Sequence, residues 1–84
     1  MAKRIVLSDK PETDLATDPK LLGAAVRFVR TSAGLTIEDA AALAGVSKQT
    51  LNDLERAKPG TRMETMFKVM ESLGIKLKIE LPGL

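Results

Sequence analysis

The chain has 84 residues, with 13 Lys or Arg against 11 Asp or Glu, a formal net charge of +2, and no Cys or His. A chain this short holds a single core. Without Cys or His, neither a disulfide nor a zinc site of the usual kind can hold it together, so stability must come from close helix packing, from assembly, or from both.

No apolar stretch is long enough to span a bilayer. The run Ile5-Val6-Leu7 behind Lys3 and Arg4 is too short for a signal peptide, so a cytoplasmic chain with no membrane partner is expected. Residues 1–18 mix Ser, Thr, Asp, Lys and Pro around that run and read as a flexible arm, with a short strand possible at Arg4–Leu7. Asp18-Pro19 is a helix start, Asp as N-cap and Pro at the first helical position. The first helix is expected from Pro19 to about Ser32, with Leu22, Val26 and Val29 at core spacing and Ala33-Gly34 at its end. Leu21, Ala24 and Phe28 form a second apolar stripe on it, which the arm or another subunit is expected to cover.

Two short helical patterns follow in Leu35–Glu55, hinged at Ala44-Gly45-Val46. The first starts on Thr36 with Glu38 and Asp39 in its opening turn, where the helix dipole favours acids. Its inner side carries only Ala40, Ala41 and Ala44, which lets a neighbouring helix approach closely, and Gly45 suits the left-handed turn that ends it. The second starts on Ser47 and should continue to about Arg56, with Leu51 and Leu54 facing inward. Two helices joined by a short Gly-containing turn form a helix-turn-helix, which can lay its second helix in the DNA major groove. Lys48, Gln49, Thr50 and Asn52 at the start of that second helix can all hydrogen-bond to phosphates or base edges.

After the Lys58-Pro59-Gly60 loop, Thr61 and Glu64 have capping-box spacing. A fourth helix is expected to run to Leu73, burying Met63, Met66, Val69, Met70 and Leu73, with Gly74 closing it. In Ile75–Leu81 the apolar Ile75, Leu77, Ile79 and Leu81 alternate with charged residues, the period of a half-buried strand. A lone strand leaves its backbone groups unpaired, so this one must pair with Arg4–Leu7, with its own copy in another subunit, or with both. The expected division is therefore an arm at 1–18, a helix-turn-helix domain at 19–74, and a strand and tail at 75–84, to which the family resemblance described below assigns dimerisation.

Charge is unevenly distributed. Residues 19–84 carry ten basic and seven acidic side chains, whereas residues 1–18 carry three and four. A body of about +3 is a modest footprint for nucleic acid and would benefit from doubling in a dimer. Phe28 and Phe67 are the only aromatic residues, which argues against a stacking platform for single strands.

Leu22-Gly23-Ala24-Ala25-Val26-Arg27-Phe28-Val29-Arg30, Gly34-Leu35-Thr36, Ala41, Ala44-Gly45-Val46-Ser47, Thr50-Leu51 and Leu54-Glu55-Arg56 together resemble the Cro/phage-repressor (XRE-type) helix-turn-helix family over Leu21–Gly74. Within that family the chain looks like HipB-type antitoxins, which share the Pro-started first helix, the four-helix body and a C-terminal strand that pairs across a dimer two-fold. The resemblance implies an all-α, lambda-repressor-like domain of four helices with a short C-terminal strand, assembled as a homodimer on a palindromic operator.

By the same resemblance Lys48, Gln49 and Asn52 would contact bases. Thr36, Ser47, Thr50, Arg56, Lys58 and Arg62 would contact phosphates. Arg30 and Glu55 would form a structural ion pair between the first and third helices. Phe28, Ile75, Leu77, Ile79 and Leu81 would line the dimer interface. Three departures stand out. Ile37 occupies the position after the helix N-cap where the family has a phosphate-touching Gln. Ala57 replaces a usual Gly, a change that reads as mild. Ala40 replaces a larger aliphatic residue, whose volume Leu43 or Ile37 would supply.

Each feature also has a plainer reading. Lys48, Gln49 and Asn52 could be a solvated helix face, as polar residues on exposed helices usually are; the register of the family landmarks favours DNA. Met63, Met66 and Met70 have core spacing rather than that of a thioether site. Asp39, Asp53 and Glu55 have no His, Cys or phosphate loop beside them and read as surface charge rather than a metal or acid–base site. No nucleophile–base set and no cofactor motif is present, so neither an enzyme nor a cofactor is expected. A sequence-specific, dimeric repressor of duplex DNA is the leading expectation. The alternative is a HipB-like antitoxin that neutralises a HipA-type kinase toxin and represses its own operon.

Overall fold

A computed structural model describes residues 5–83. They form four helices, α1 (Pro19–Ser32), α2 (Ile37–Ala44), α3 (Lys48–Glu55) and α4 (Met63–Ser72). The starts of the first three follow from local chemistry. The Asp18 carboxylate accepts from the Lys20 amide at 2.8 Å with Pro19 next in line. Thr36 and Asp39 form a reciprocal capping box, the Asp39 amide donating to Thr36 Oγ1 at 3.1 Å and the Thr36 amide to Asp39 Oδ2 at 3.4 Å. Ser47 Oγ accepts from the Thr50 amide at 3.0 Å. Each bond satisfies an amide that the first helical turn leaves without an intrahelical partner.

The fourth helix starts differently from the capping-box expectation. Arg62, not Thr61, is the N-cap, and no side chain caps it. The Thr61 hydroxyl instead donates back to the Lys58 carbonyl at 3.4 Å, so the helix begins one residue later and Glu64 falls out of the box register. Met63 is also 75 % exposed, because packing begins a turn later at Met66.

The core is Val26 from α1, Ala40, Ala41 and Ala44 from α2, Leu51 and Leu54 from α3, and Val69 and Met70 from α4. Leu22, Leu35, Ile37, Val46, Met66, Leu73 and Ile75 pack around it. The volume missing at Ala40 is made up by Ile37, which lies against this core, and not by the exposed Leu43. Ile37 thus serves packing at the position where the family has a polar contact.

Two features bring α1 and α3 together. Gly23 is buried so closely against the end of α3 that a Cβ there would lie 2.6 Å from the Glu55 carbonyl oxygen and 2.9 Å from that of Leu54. About two turns further along α1, Arg30 reaches the last residue of α3. Its Nε donates to Glu55 Oε2 at 2.6 Å, its Nη2 to Glu55 Oε1 at 3.0 Å and its Nη1 to the Leu35 carbonyl at 2.8 Å. Both side chains of the pair are more than nine-tenths buried, and none of the described buried side-chain polar atoms lacks a partner.

The tail and arm do not form the strand of the sequence reading. Ile75 packs on the core and donates its amide to the Met70 carbonyl at 2.8 Å, but residues 76–83 extend without a ladder. Residues 5–7 are likewise not in a strand, and Arg4 lies outside the described residues. Among the described residues no strand edge is present for the alternating segment to pair with. The arm is drawn to α1 instead: the Ser8 amide donates to Thr31 Oγ1 at 3.1 Å, and Thr31 is buried there with its hydroxyl 2.9 Å from the Arg27 carbonyl. Phe28, one turn before Thr31, is half-buried.

The Gly23 contact makes a direct test. Gly→Ala in a helix interior normally stabilises by up to ~1 kcal/mol, but here both opposing atoms are backbone. Gly23→Ala should therefore destabilise the chain by about 1–3 kcal/mol, as overpacking does. Thermal unfolding would show it as a lower Tm; an unchanged or higher Tm would mean that α1 and α3 are not in this contact.

Candidate nucleic-acid interface

Helix α3 is short, and its two faces do different work. Leu51 and Leu54 are fully buried, while Lys48 and Gln49 are exposed and Asn52 is half-exposed. With 3.6 residues per turn, the buried pair fixes the helix rotation and leaves its N-terminal polar residues on the outer side. The turn that aims α3 closes on Gly45 in the left-handed region (φ 72°). Lys68 of α4 braces this turn, its Nζ donating to the Gly45 carbonyl at 3.4 Å. This contact has no sequence signature, because it joins residues 23 apart.

The outward side chains are held by carboxylates. Lys48 Nζ lies 3.2 Å from Glu38 Oε1 on α2, and both groups are exposed. Gln49 Nε2 donates to Asp53 Oδ1 at 2.8 Å, and Lys58 Nζ stands 4.0 Å from the same oxygen. Exposed pairs of this kind are worth little, about 0–1 kcal/mol, and exchange readily for another partner. Glu38 and Asp53 therefore preset Lys48 and Gln49 without fixing them.

Around this row the polar groups cluster on one side. Ser47 Oγ donates to Thr50 Oγ1 at 2.7 Å. Thr50, Asp53, Thr61, Arg62 and Thr65 border an open hollow of about 250 Å³ between α3 and the start of α4. The N-terminal ends of α2 and α3 present Thr36 and Ser47, both engaged in their own caps. Arg56 stands apart from Arg62. It borders a second hollow of about 280 Å³ with Lys20, Arg27, Ala24 and the arm residues Ser8 and Asp9. The candidate phosphate-contacting residues thus fall into two groups, one beside α4 and one beside α1. Lys20 and Arg27, which sequence periodicity did not single out, stand beside Arg56 at this hollow, together with the acidic Asp9 and Glu55.

The Glu55 carboxylate is turned inward to Arg30. Among the described residues no group of acidic, Cys or His side chains is placed to hold a metal. No described helix is long and apolar enough to cross a membrane.

With this geometry in view, the comparison with known proteins is specific. The Helix-turn-helix family model matches residues 26–79, from the middle of α1 into the tail. The chain is also 35 % identical over 65 residues to an uncharacterized HTH-type transcriptional regulator, y4mF, of Sinorhizobium fredii; the match covers 77 % of this chain and 86 % of that protein. The chain belongs to the Cro/C1-type helix-turn-helix family and is a DNA-binding transcriptional regulator.

The loop that carries Lys58 and Arg62 leaves α3 through Ala57, whose φ is +55°. An L-residue pays about 1–2 kcal/mol in that region, a cost that glycine escapes. Exchanging Gly for Ala here is therefore not the mild change that the sequence suggests. Ala57→Gly should raise stability by about 0.5–1 kcal/mol after the greater freedom of glycine in the unfolded chain is counted, a few degrees in Tm. A lower Tm for the variant would contradict the left-handed turn.

Proposed function

We propose that the chain is a homodimeric repressor that binds a palindromic operator, with α3 in the major groove. Lys48, Gln49 and Asn52 read base edges. Gln has the donor and acceptor pair that suits adenine, and Lys has the donor that suits guanine. Thr36, Ser47, Thr50, Lys58 and Arg62 take the flanking phosphates on one side, and Arg56 takes them on the other, assisted by the N-termini of α2 and α3. The observation that carries this reading is the exposed polar N-terminal half of α3, aimed outward by the burial of Leu51 and Leu54.

Dimerisation is supported by the tail, where Leu77, Ile79 and Leu81 are exposed at alternate positions. It would also double a charge that is small for one chain. Two recognition helices about 34 Å apart would then face successive turns of one duplex. A second role, that of a HipB-like antitoxin seating a HipA-type kinase toxin, draws support from apolar surface away from the tail, at Leu43 and Met63. Co-purification of a kinase-like chain with the native protein tests it.

The DNA reading separates two kinds of substitution. Lys48→Ala and Gln49→Ala should each reduce discrimination between the operator and a singly changed site by roughly tenfold, as loss of a good base contact does. Arg56→Ala should weaken binding to all sequences alike and flatten the log–log salt slope by about one. Fluorescence anisotropy on the chain's own promoter region at several salt concentrations measures both. If all three variants keep wild-type affinity, specificity and slope, α3 is not the reading helix.

A further inference from the structure

The side of α1 that carries Lys20 and Arg27 is also where the chain's own arm lies. Between residues 5 and 11 only Ile5, Ser8 and Pro11 are partly buried, with exposed residues between them. A period of three is that of an extended, polyproline II-like segment lying against a surface. Ser8 is its polar anchor. Thr31 Oγ1 donates its one hydrogen to the Arg27 carbonyl at 2.9 Å. Its lone pairs are left to accept from Ser8, whose amide lies 3.1 Å away and whose hydroxyl lies 3.3 Å away.

This anchor decides where the next residue stands. Asp9 borders the hollow of about 280 Å³ that Lys20, Arg27 and Arg56 also line, and all four side chains are exposed. The Glu55 carboxylate is committed to Arg30, so Asp9 is the remaining anion of this lining, set among three cations. Glu12 and Asp14 continue the negative charge along the arm, against Lys10 alone. Carboxylate and phosphate oxygens are both anionic acceptors for Lys and Arg, and occupy the same donors in turn.

We propose, resting on the DNA reading above, that the arm is an intramolecular competitor of the DNA backbone. Docked through Ser8 on Thr31, it holds Asp9 beside Lys20, Arg27 and Arg56, and a phosphate must displace it to reach them. A state that must first open binds more weakly in proportion to the fraction that is open. Phosphate contacts carry no sequence information, so the penalty is equal for the operator and for any other duplex. Discrimination is left unchanged, while occupancy of non-operator DNA, which rests on electrostatics, falls. The anchor is two hydrogen bonds and the charges are exposed, so the arm yields without unfolding the body.

The test uses the full-length chain and its Asp9→Asn, Asp14→Asn, Ser8→Pro and doubly substituted Ser8→Pro, Asp9→Asn forms. Each would be titrated by fluorescence anisotropy with a duplex from the chain's own promoter region and with a duplex of unrelated sequence, at several salt concentrations. Asp9→Asn should tighten binding to both duplexes alike, by roughly twofold to tenfold at low salt, and the gain should fade as salt rises. Asp14→Asn removes an equal charge further along the arm and should gain less. Ser8→Pro removes both donors to Thr31; it should tighten binding as well, and in its background Asp9→Asn should add little.

Unchanged or weaker binding by Asp9→Asn would overturn the competition. Equal gains from Asp9→Asn and Asp14→Asn would reduce it to general charge repulsion and overturn the placed contact. A full Asp9→Asn gain in the Ser8→Pro background would overturn the docking. Failure of every form to bind either duplex would instead remove the DNA reading on which the proposal rests.

Discussion

The buried pair of Arg30 and Glu55 is the interaction on which the rest depends. It joins the last turn of α1, the loop carbonyl of Leu35 and the last residue of α3 through three hydrogen bonds from one guanidinium. The planar fork of Arg matches a carboxylate bidentately and still has a donor for the loop, which a Lys ammonium cannot reproduce. Burying two charges is costly, and the mutual attraction offsets that only where the geometry is good and the remaining donors are satisfied. Here those conditions hold. The pair also lies near the place where Gly23 lets the two helices touch backbone to backbone. The end of α3 is thereby fixed in position and rotation by α1.

That placement decides what the other end of α3 can do. Leu51 and Leu54 are inside, so Lys48, Gln49 and Asn52 must face out. The alanines of α2 bring the two short helices close together, and Gly45, backed by Lys68, sets the turn between them. Two eight-residue helices would not persist alone in water; tertiary packing and caps hold them. The interface is therefore rigid in its frame and adjustable in its side chains, whose bonds to Glu38 and Asp53 are exposed and easily exchanged.

Much of this was legible because it is local. Asp18-Pro19, Thr36, Gly45 and Ser47 act on amides and carbonyls within a turn of themselves, and the helices start and stop where these residues stand. The spacing of Leu51 and Leu54 gave the polar face of α3 its direction. Where sequence reasoning failed, the deciding contact was remote or contested. Thr61 had the spacing of a cap but bonds back to Lys58, which a pattern three residues ahead cannot foresee. Ala57 sits in a left-handed turn that nothing in its side chain announces. The need for Gly23 arises from the backbone of residues 54 and 55, far along the chain. Ser8 reaching Thr31 depends on where α1 ends up, and the alternating tail has the period of a strand but, among the described residues, forms no ladder.

The Arg30–Glu55 clamp, rather than general apolar contact, sets α3 against α1. A double-mutant cycle of Arg30→Met, Glu55→Met and the doubly substituted chain tests it most directly. Urea unfolding would be followed by circular dichroism at fixed protein concentration, since the chain has no Trp or Tyr. Each single substitution should lose about 3–5 kcal/mol by stranding a buried charge, while the double substitution should lose far less than their sum. Additivity within about 0.5 kcal/mol would rule out the clamp, because it would mean that the two side chains act independently.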